Sequence, residues 1–208
     1  IIYMTAELNI RKFDMTKMKN DSVVVILAKR RSGKSYLCRD IMYNRRHTPC
    51  GMVISPTEKA SPFYKDFVPG LYIHDKYSSE LISKFMRRQT EEVEKSKKDI
   101  TRDPSAFLIF DDLMFSAKEW TKDPCVKEIF LNGRHMKISF ILLMQFPMGI
   151  SPALRSNCDY TFLLQENNTN NRRRLYEHYA GVFPSFQSFC SALDSCTVNY
   201  GCMVIDNT

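Results

Sequence analysis

Three short polar groups close apolar runs in this chain, and their residue types are those that handle phosphate. The first is Gly33-Lys34-Ser35, at the end of "ILAKRRSGKS" (Ile26–Ser35). The pattern G-x-x-x-x-G-K-[ST] builds a loop whose backbone N–H groups cradle phosphate where a helix begins. In such a loop Lys34 reaches the terminal phosphates of a nucleotide and Ser35 offers its hydroxyl to Mg²⁺. The expected nucleotide contacts are Lys29, Arg30, Arg31, Ser32, Gly33, Lys34, Ser35 and Tyr36. Ala28 stands where the pattern has its first Gly. Ala suffices there if the backbone stays extended, because only a left-handed conformation demands Gly.

The second group is Asp111-Asp112, delivered by "AFLIFDD" (Ala106–Asp112). Ligands of open α/β sheets collect at the carboxyl ends of strands. Asp111 is placed to hold Mg²⁺ through water, and Asp112 to orient or activate an attacking water. The third group is Gln145, which ends "ISFILLMQ" (Ile138–Gln145). Its amide can hydrogen-bond a terminal phosphate or that water. Arg134, in "NGRH" just ahead of this run, can face the nucleotide of a neighbouring subunit; plain surface charge is the competing reading.

These groups need a frame that brings strand ends together. "SVVVILA" (residues 22–28) is continuously apolar and β-branched, as for a strand covered on both faces. "GMVIS" (51–55), "GLYIHD" (70–75), "AFLIFDD", "ISFILLMQ", "YTFLLQ" (160–165) and "CMVID" (202–206) read as further strands. Helical spacing follows Gly33, recurs from Ser78 or Ser79 through "KSKK", and again in "DPCVKEIFLNGRH", ending near Gly133. Alternating strands and helices predict a three-layer α/β fold of the P-loop NTPase kind. It has a mostly parallel central sheet with helices on both faces. The 208 residues suit one domain, with a core over about 13–165 and a helix-and-strand extension over 166–208.

Composition narrows the function classes. The sequence holds 30 Lys and Arg against 23 Asp and Glu, a net charge of +7 that favours a polyanionic partner. No apolar run reaches about 18 residues, so no membrane-spanning helix is expected. The opening "IIYMTAELNIRKF" lacks the charged-then-apolar form of a secretory leader. Seven cysteines, with no C-x-x-C, fit free thiols in a reducing compartment better than a disulfide framework. Cys190, Cys196 and Cys202 are regularly spaced, but farther apart than zinc-ligand pairs.

Together these segments resemble the genome-packaging ATPases of large double-stranded DNA viruses, the poxvirus type. That type lies within the motor ATPases that also contain bacterial FtsK and archaeal HerA. "AKRRSGKS", "GMVISPTE", "FYKDFVPGLYIHDKY", "LIFDDLM", "NGRHMKISFILLMQFP" and "ALRSNCDYTFLL" carry the likeness, from about Phe13 to the C-terminus. The resemblance implies an ATP- and Mg²⁺-dependent motor that forms a ring, a hexamer or pentamer, and drives double-stranded DNA into a preformed capsid. It implies a viral protein working at the assembly site in the host cytoplasm, against a capsid or portal vertex protein, and carried in the virion. Asp111 would serve the metal, Asp112 the water and Gln145 the phosphate sensor. Arg134 would be the finger given to a neighbour, with Arg155 as its rival. Besides Ala28, the chain departs from the family at Arg31, where Gly is common.

Sequence-independent DNA binding needs backbone charge contacts. Arg172, Arg173 and Arg174 are the first choice, read as opening the helix "RRRLYEHYA", where positive charge opposes the dipole. Arg45 and Arg46, then Lys95, Lys97 and Lys98, follow. The alternative reading is a small-molecule kinase, or another P-loop NTPase not acting on DNA, but no lid segment is recognisable. Asp112 with Gln145 argues against a non-hydrolysing switch. Only about 60 residues follow Gln145, too few for a nuclease domain.

Overall fold

The computed structural model describes residues 10–208. The leader reading of the first residues therefore lies mostly outside the described residues. Chain order runs β1 (Val23–Leu27), α1 (Lys34–Asn44), β2 (Cys50–Ile54), β3 (Ile73–His74), α2 (Ser79–Lys98), β4 (Ala106–Asp111) and α3 (Ala117–Trp120). It continues through α4 (Pro124–Asn132), β5 (Ile138–Met144), α5 (Pro152–Arg155), β6 (Tyr160–Leu163), α6 (Thr169–Tyr179), α7 (Phe186–Cys196) and β7 (Met203–Asp206). The strands form one sheet in the order β3-β2-β4-β5-β1-β6-β7. All pairings are parallel except β6 with β7.

Every residue of β1, β4, β5 and β6 is buried. Side chains alternate across a strand, so a strand covered on both faces is apolar throughout. Val23, Val25 and Leu27 of β1 join a core with Ile82 and Phe85 of α2, Ile129 of α4 and Phe189 of α7. Val24 and Ile26 face the other way, onto Leu37, Cys38, Ile41 and Met42 of α1. The three-layer α/β architecture follows directly. Asp159 fastens the start of β1: its Oδ2 accepts from Val23 N at 2.7 Å, and its own N–H donates to the Val23 carbonyl at 2.9 Å.

Helix ends follow the sequence signals. Ser78 caps α2 and Asp123 caps α4, and Gly133 terminates α4. Two expectations need correction. Residues 70–75 are not a full strand: Gly70–Tyr72 is a 3₁₀ turn and only Ile73–His74 pairs, with the end of β2. The segment lies at the sheet edge, where Leu71 has no face to cover and is 80% exposed. The helix expected to open at Arg172 begins three residues earlier, at Thr169, capped by Asn168. The three arginines thus occupy its second turn, beyond the reach of the dipole argument.

Candidate nucleotide site

The phosphate loop leaves β1 at Ala28, which is buried and still donates to the Met144 carbonyl at 3.1 Å. Ala28 is not among the residues with positive φ, so the missing first Gly costs nothing in conformation. The turn itself is closed by Ser32, whose hydroxyl donates to the Lys29 carbonyl at 2.6 Å. Arg31 adopts φ 61°, a left-handed backbone that Gly would tolerate better. Gly33 has φ 94° and caps α1 without a side chain. The first-turn N–H groups of α1 therefore have no capping side chain and border the cleft as anion donors.

The cleft has a volume of about 1100 Å³ and reaches from Lys29, Arg30 and Arg31 across Lys34, Ser35 and Tyr36 to Asp111, Asp112 and Gln145. Lys34 Nζ lies 3.4 Å from Asp111 Oδ1, with both side chains nearly buried. The Tyr64 hydroxyl donates to Asp111 Oδ2 at 2.9 Å. Oδ1 has no hydrogen-bond partner although it is buried. Burial pushes the Asp111 carboxyl above its usual range, against the pull of Lys34 and the Tyr64 hydrogen bond. The same burial raises the Tyr64 phenol and the neighbouring Cys38 thiol.

Asp112 follows the end of β4 with φ 55° and turns toward β5. Strands β4 and β5 pair with Asp111 opposite Leu143. That register puts Gln145 beside Asp112, and its Nε2 donates to Asp112 Oδ1 at 2.5 Å. The Trp120 indole N–H donates to the Leu113 carbonyl at 2.9 Å and pins the turn after the two aspartates.

Some site residues have no local sequence signature. Glu58 is buried, and its carboxylate accepts from Phe63 N, Tyr64 N and Lys65 N at 3.0–3.1 Å. It orients the 3₁₀ turn Tyr64–Asp66 so that the phenol reaches Asp111. An acidic residue shortly before an aromatic run was the available clue, and it is a faint one.

The arginines separate. Arg134 is exposed near the amino end of β5, on the rim opposite Gln145. Seven strand residues at about 3.3 Å each put it on the order of 20 Å from the site on its own chain. Arg155 is not presented to a neighbour: it is buried, donates to the Ile150 carbonyl at 2.8 Å and lies 5.7 Å from the Tyr179 ring centre. Arg172 is likewise not free. It forms a two-pronged pair with Asp194 (3.0 and 2.5 Å) and donates to the Glu166 carbonyl. Arg173 and Arg174 are exposed and rest on Phe186 and Phe146. Arg45 is buried against Ser139, Ser22 and the Lys19 carbonyl, so it is structural. Lys95 and Lys97 are paired to Glu92 and Glu94.

A hard divalent cation fits this donor set. The unsatisfied Asp111 oxygen and the Ser35 hydroxyl border one cleft, and Mg²⁺ typically takes only one or two protein oxygens beside phosphate and water.

The chain is 44% identical over 200 residues to an uncharacterized protein of Acanthamoeba polyphaga mimivirus, covering 94% of this chain and 70% of that one. It is 36% identical to an uncharacterized protein of Invertebrate iridescent virus 6, covering 98% and 81%. Its fold is similar to that of the genome packaging NTPase of Sulfolobus turreted icosahedral virus 2 solved with ATP-gammaS. There the TM-score is 0.62 at 19% identity, over 91% of this chain and 93% of that one. The model of the poxvirus A32 protein family matches residues 10–176, and the chain belongs to that family.

Proposed function

We propose that this protein is an ATP-hydrolysing motor that moves double-stranded viral DNA into a capsid, working as a ring with its active sites between subunits. The observation that carries this reading is the joining of Lys34 with Asp111 and of Asp112 with Gln145 around one cleft at the head of α1. Family membership and the shared fold of a packaging NTPase support it.

In this reading the loop from Lys29 to Tyr36 holds the triphosphate, and Lys34 neutralises charge on its terminal oxygens. Ser35 and Asp111 would hold Mg²⁺, which would supply positive charge against the charge that develops on the phosphates. Asp112 accepts a hydrogen bond and then a proton from the attacking water as the water oxygen bonds to the γ-phosphorus, and that proton passes on to the phosphate formed. The bond to the leaving ADP oxygen then breaks, and inorganic phosphate departs. Gln145 holds Asp112 in place and supplies polarity at the γ-phosphate. Arg134 serves the neighbour's nucleotide, which suits its distance from the site on its own chain. Arg173 and Arg174 remain as backbone contacts for DNA. Docking would be to a capsid or portal vertex protein, at the assembly site in the host cytoplasm.

The test is ATP hydrolysis with and without long duplex DNA, alongside the mass of the assembly. Stimulation by DNA in an oligomer, abolished by Lys34→Ala with the fold intact, is the expected result. Hydrolysis indifferent to DNA, or transfer of phosphate to a small molecule, would replace the motor by another NTPase. Unchanged hydrolysis in folded Lys34→Ala would end the nucleotide reading itself.

A further inference from the structure

Between α7 and β7 the chain makes a strained turn whose purpose the hydrolytic groups leave unexplained. Asn199 and Tyr200 are consecutive residues in the left-handed region, at φ 51° and 61°. Asn adopts that backbone readily, whereas a bulky aromatic residue there is an outlier. Such outliers persist where a side chain is held for use. The turn is closed by Gly201, whose N–H donates to the Val198 carbonyl at 2.9 Å, and a Cβ at Gly201 would lie 2.4 Å from the Cys196 carbonyl oxygen.

The result is a tyrosine ring held above the phosphate loop. A Cβ placed on Gly33 would lie 3.6 Å from Cδ1 of Tyr200 and 3.9 Å from a Leu164 methyl. Yet Tyr200 is 83% exposed. No aromatic or cationic side chain stacks on its ring among the described residues. Tyr200, Leu164 and Cys202 line the same cleft as Lys34 and Asp112.

Sheet order divides that cleft. Strand β1, which delivers the phosphate loop, lies between β5 and β6. The hydrolytic groups end β4 and β5, on one side of the loop. Tyr200 and Leu164 stand on the β6–β7 side. A triphosphate with its reacting end at Asp112 and Gln145 can then direct its base over Leu164. The other exposed ring at the cleft, Tyr36, already carries the Arg39 guanidinium over its ring at 4.8 Å and meets Phe63 edge-on at 5.4 Å.

We propose that Tyr200 is the stacking platform for the base of the bound nucleoside triphosphate, with Leu164 as its apolar floor. This rests on the nucleotide reading above and adds the part of the ligand that the phosphate loop does not recognise. Base stacking on an aromatic ring tolerates any base, so the platform supplies affinity more than base selection.

The experiment compares binding of ATP-gammaS and of inorganic triphosphate, each with Mg²⁺, to the full chain and to Tyr200→Ala, Tyr200→Phe and Tyr36→Ala. Wild type should bind ATP-gammaS about five- to hundredfold more tightly than triphosphate. Tyr200→Ala should lose most of that advantage and keep its triphosphate affinity, while Tyr200→Phe stays near wild type. Equal weakening of both ligands in Tyr200→Ala would mean that the turn only supports Gly33. Loss in Tyr36→Ala with Tyr200→Ala unaffected would put the base on the other flank. Either result overturns the assignment and leaves the phosphate site standing. Failure of wild type to bind either ligand would instead remove the nucleotide reading on which it rests.

Discussion

One hydroxyl separates Tyr64 from phenylalanine, and it is the group that meets Asp111 Oδ2. Tyr64→Phe keeps the ring contacts to Phe63 and Phe67 and removes only that donor. Burial already raises the Asp111 carboxyl, and the phenol opposes the rise. Without it the carboxyl shifts further up, and the protonated form extends to higher pH. A protonated Asp111 is a poorer oxygen donor to Mg²⁺. The Mg²⁺ concentration for half-maximal hydrolysis should therefore rise, by about tenfold as for other partners of metal-binding carboxylates. The acid limb of the pH–rate profile should move upward as well. A Mg²⁺ titration and an acid limb identical to wild type would show that the phenol merely packs.

At the scale of elements, α2 ends in a small ionic clamp. Glu92 accepts from Lys95 Nζ at 3.0 Å and from Arg102 Nε at 2.7 Å, tying the helix to the loop before β4. The Lys95 and then the Arg102 hydrogen bonds hold its carboxyl down at about 2. The folded value lies below the unfolded one of about 4.3. Its contribution is therefore complete above about pH 5 and fades as pH falls toward 2. Glu92→Gln should lower stability at pH 7, and its gap from wild type in denaturant unfolding should narrow between about pH 5 and pH 3. A gap constant with pH would mean that the loss is one of packing. Buried elements such as β1, β4 and β5 were legible because continuous apolar runs have few other uses. Asp111, Asp112 and Gln145 were placed for the same reason, because a strand's end fixes where its next side chain stands, whereas Lys34 was placed by the loop pattern that opens α1. What the sequence hid depends on partners distant in the chain. Tyr64 meets Asp111 47 residues away, Arg45 meets Ser139 94 residues away, and Arg172 meets Asp194 22 residues away. No local period encodes such pairs, so a cluster of arginines read as free charge includes structural members. The edge segment 70–75 was misread because β-propensity speaks for a half-buried surface, which that edge does not provide.

For the whole molecule, the decisive relation is between Arg134 and Gln145. They stand at opposite ends of β5, so one chain cannot bring both to the same phosphate. In the proposed ring, the exposed Arg134 of one subunit would complete the cleft of the next. Asp112→Asn and Arg134→Ala should then each be nearly inactive. The first loses the group that orients the water. The second keeps its own cleft whole but cannot stabilise charge on its neighbour's nucleotide, a role worth about 10³–10⁵-fold in related phosphoryl transfer. Mixed together, the two inactive chains should recover activity. Where an Arg134→Ala subunit offers its cleft to an Asp112→Asn neighbour, an intact Asp112 meets an intact Arg134. Hydrolysis should rise with the mixing ratio, pass through a maximum near equal amounts and fall again. Incorporation of both chains into single assemblies is checked by mass. Assemblies proven to be mixed yet uniformly inactive would show that Arg134 does not act across the boundary. Arg155 could not simply take its place, because it is buried against Ile150 and would first have to leave its own chain.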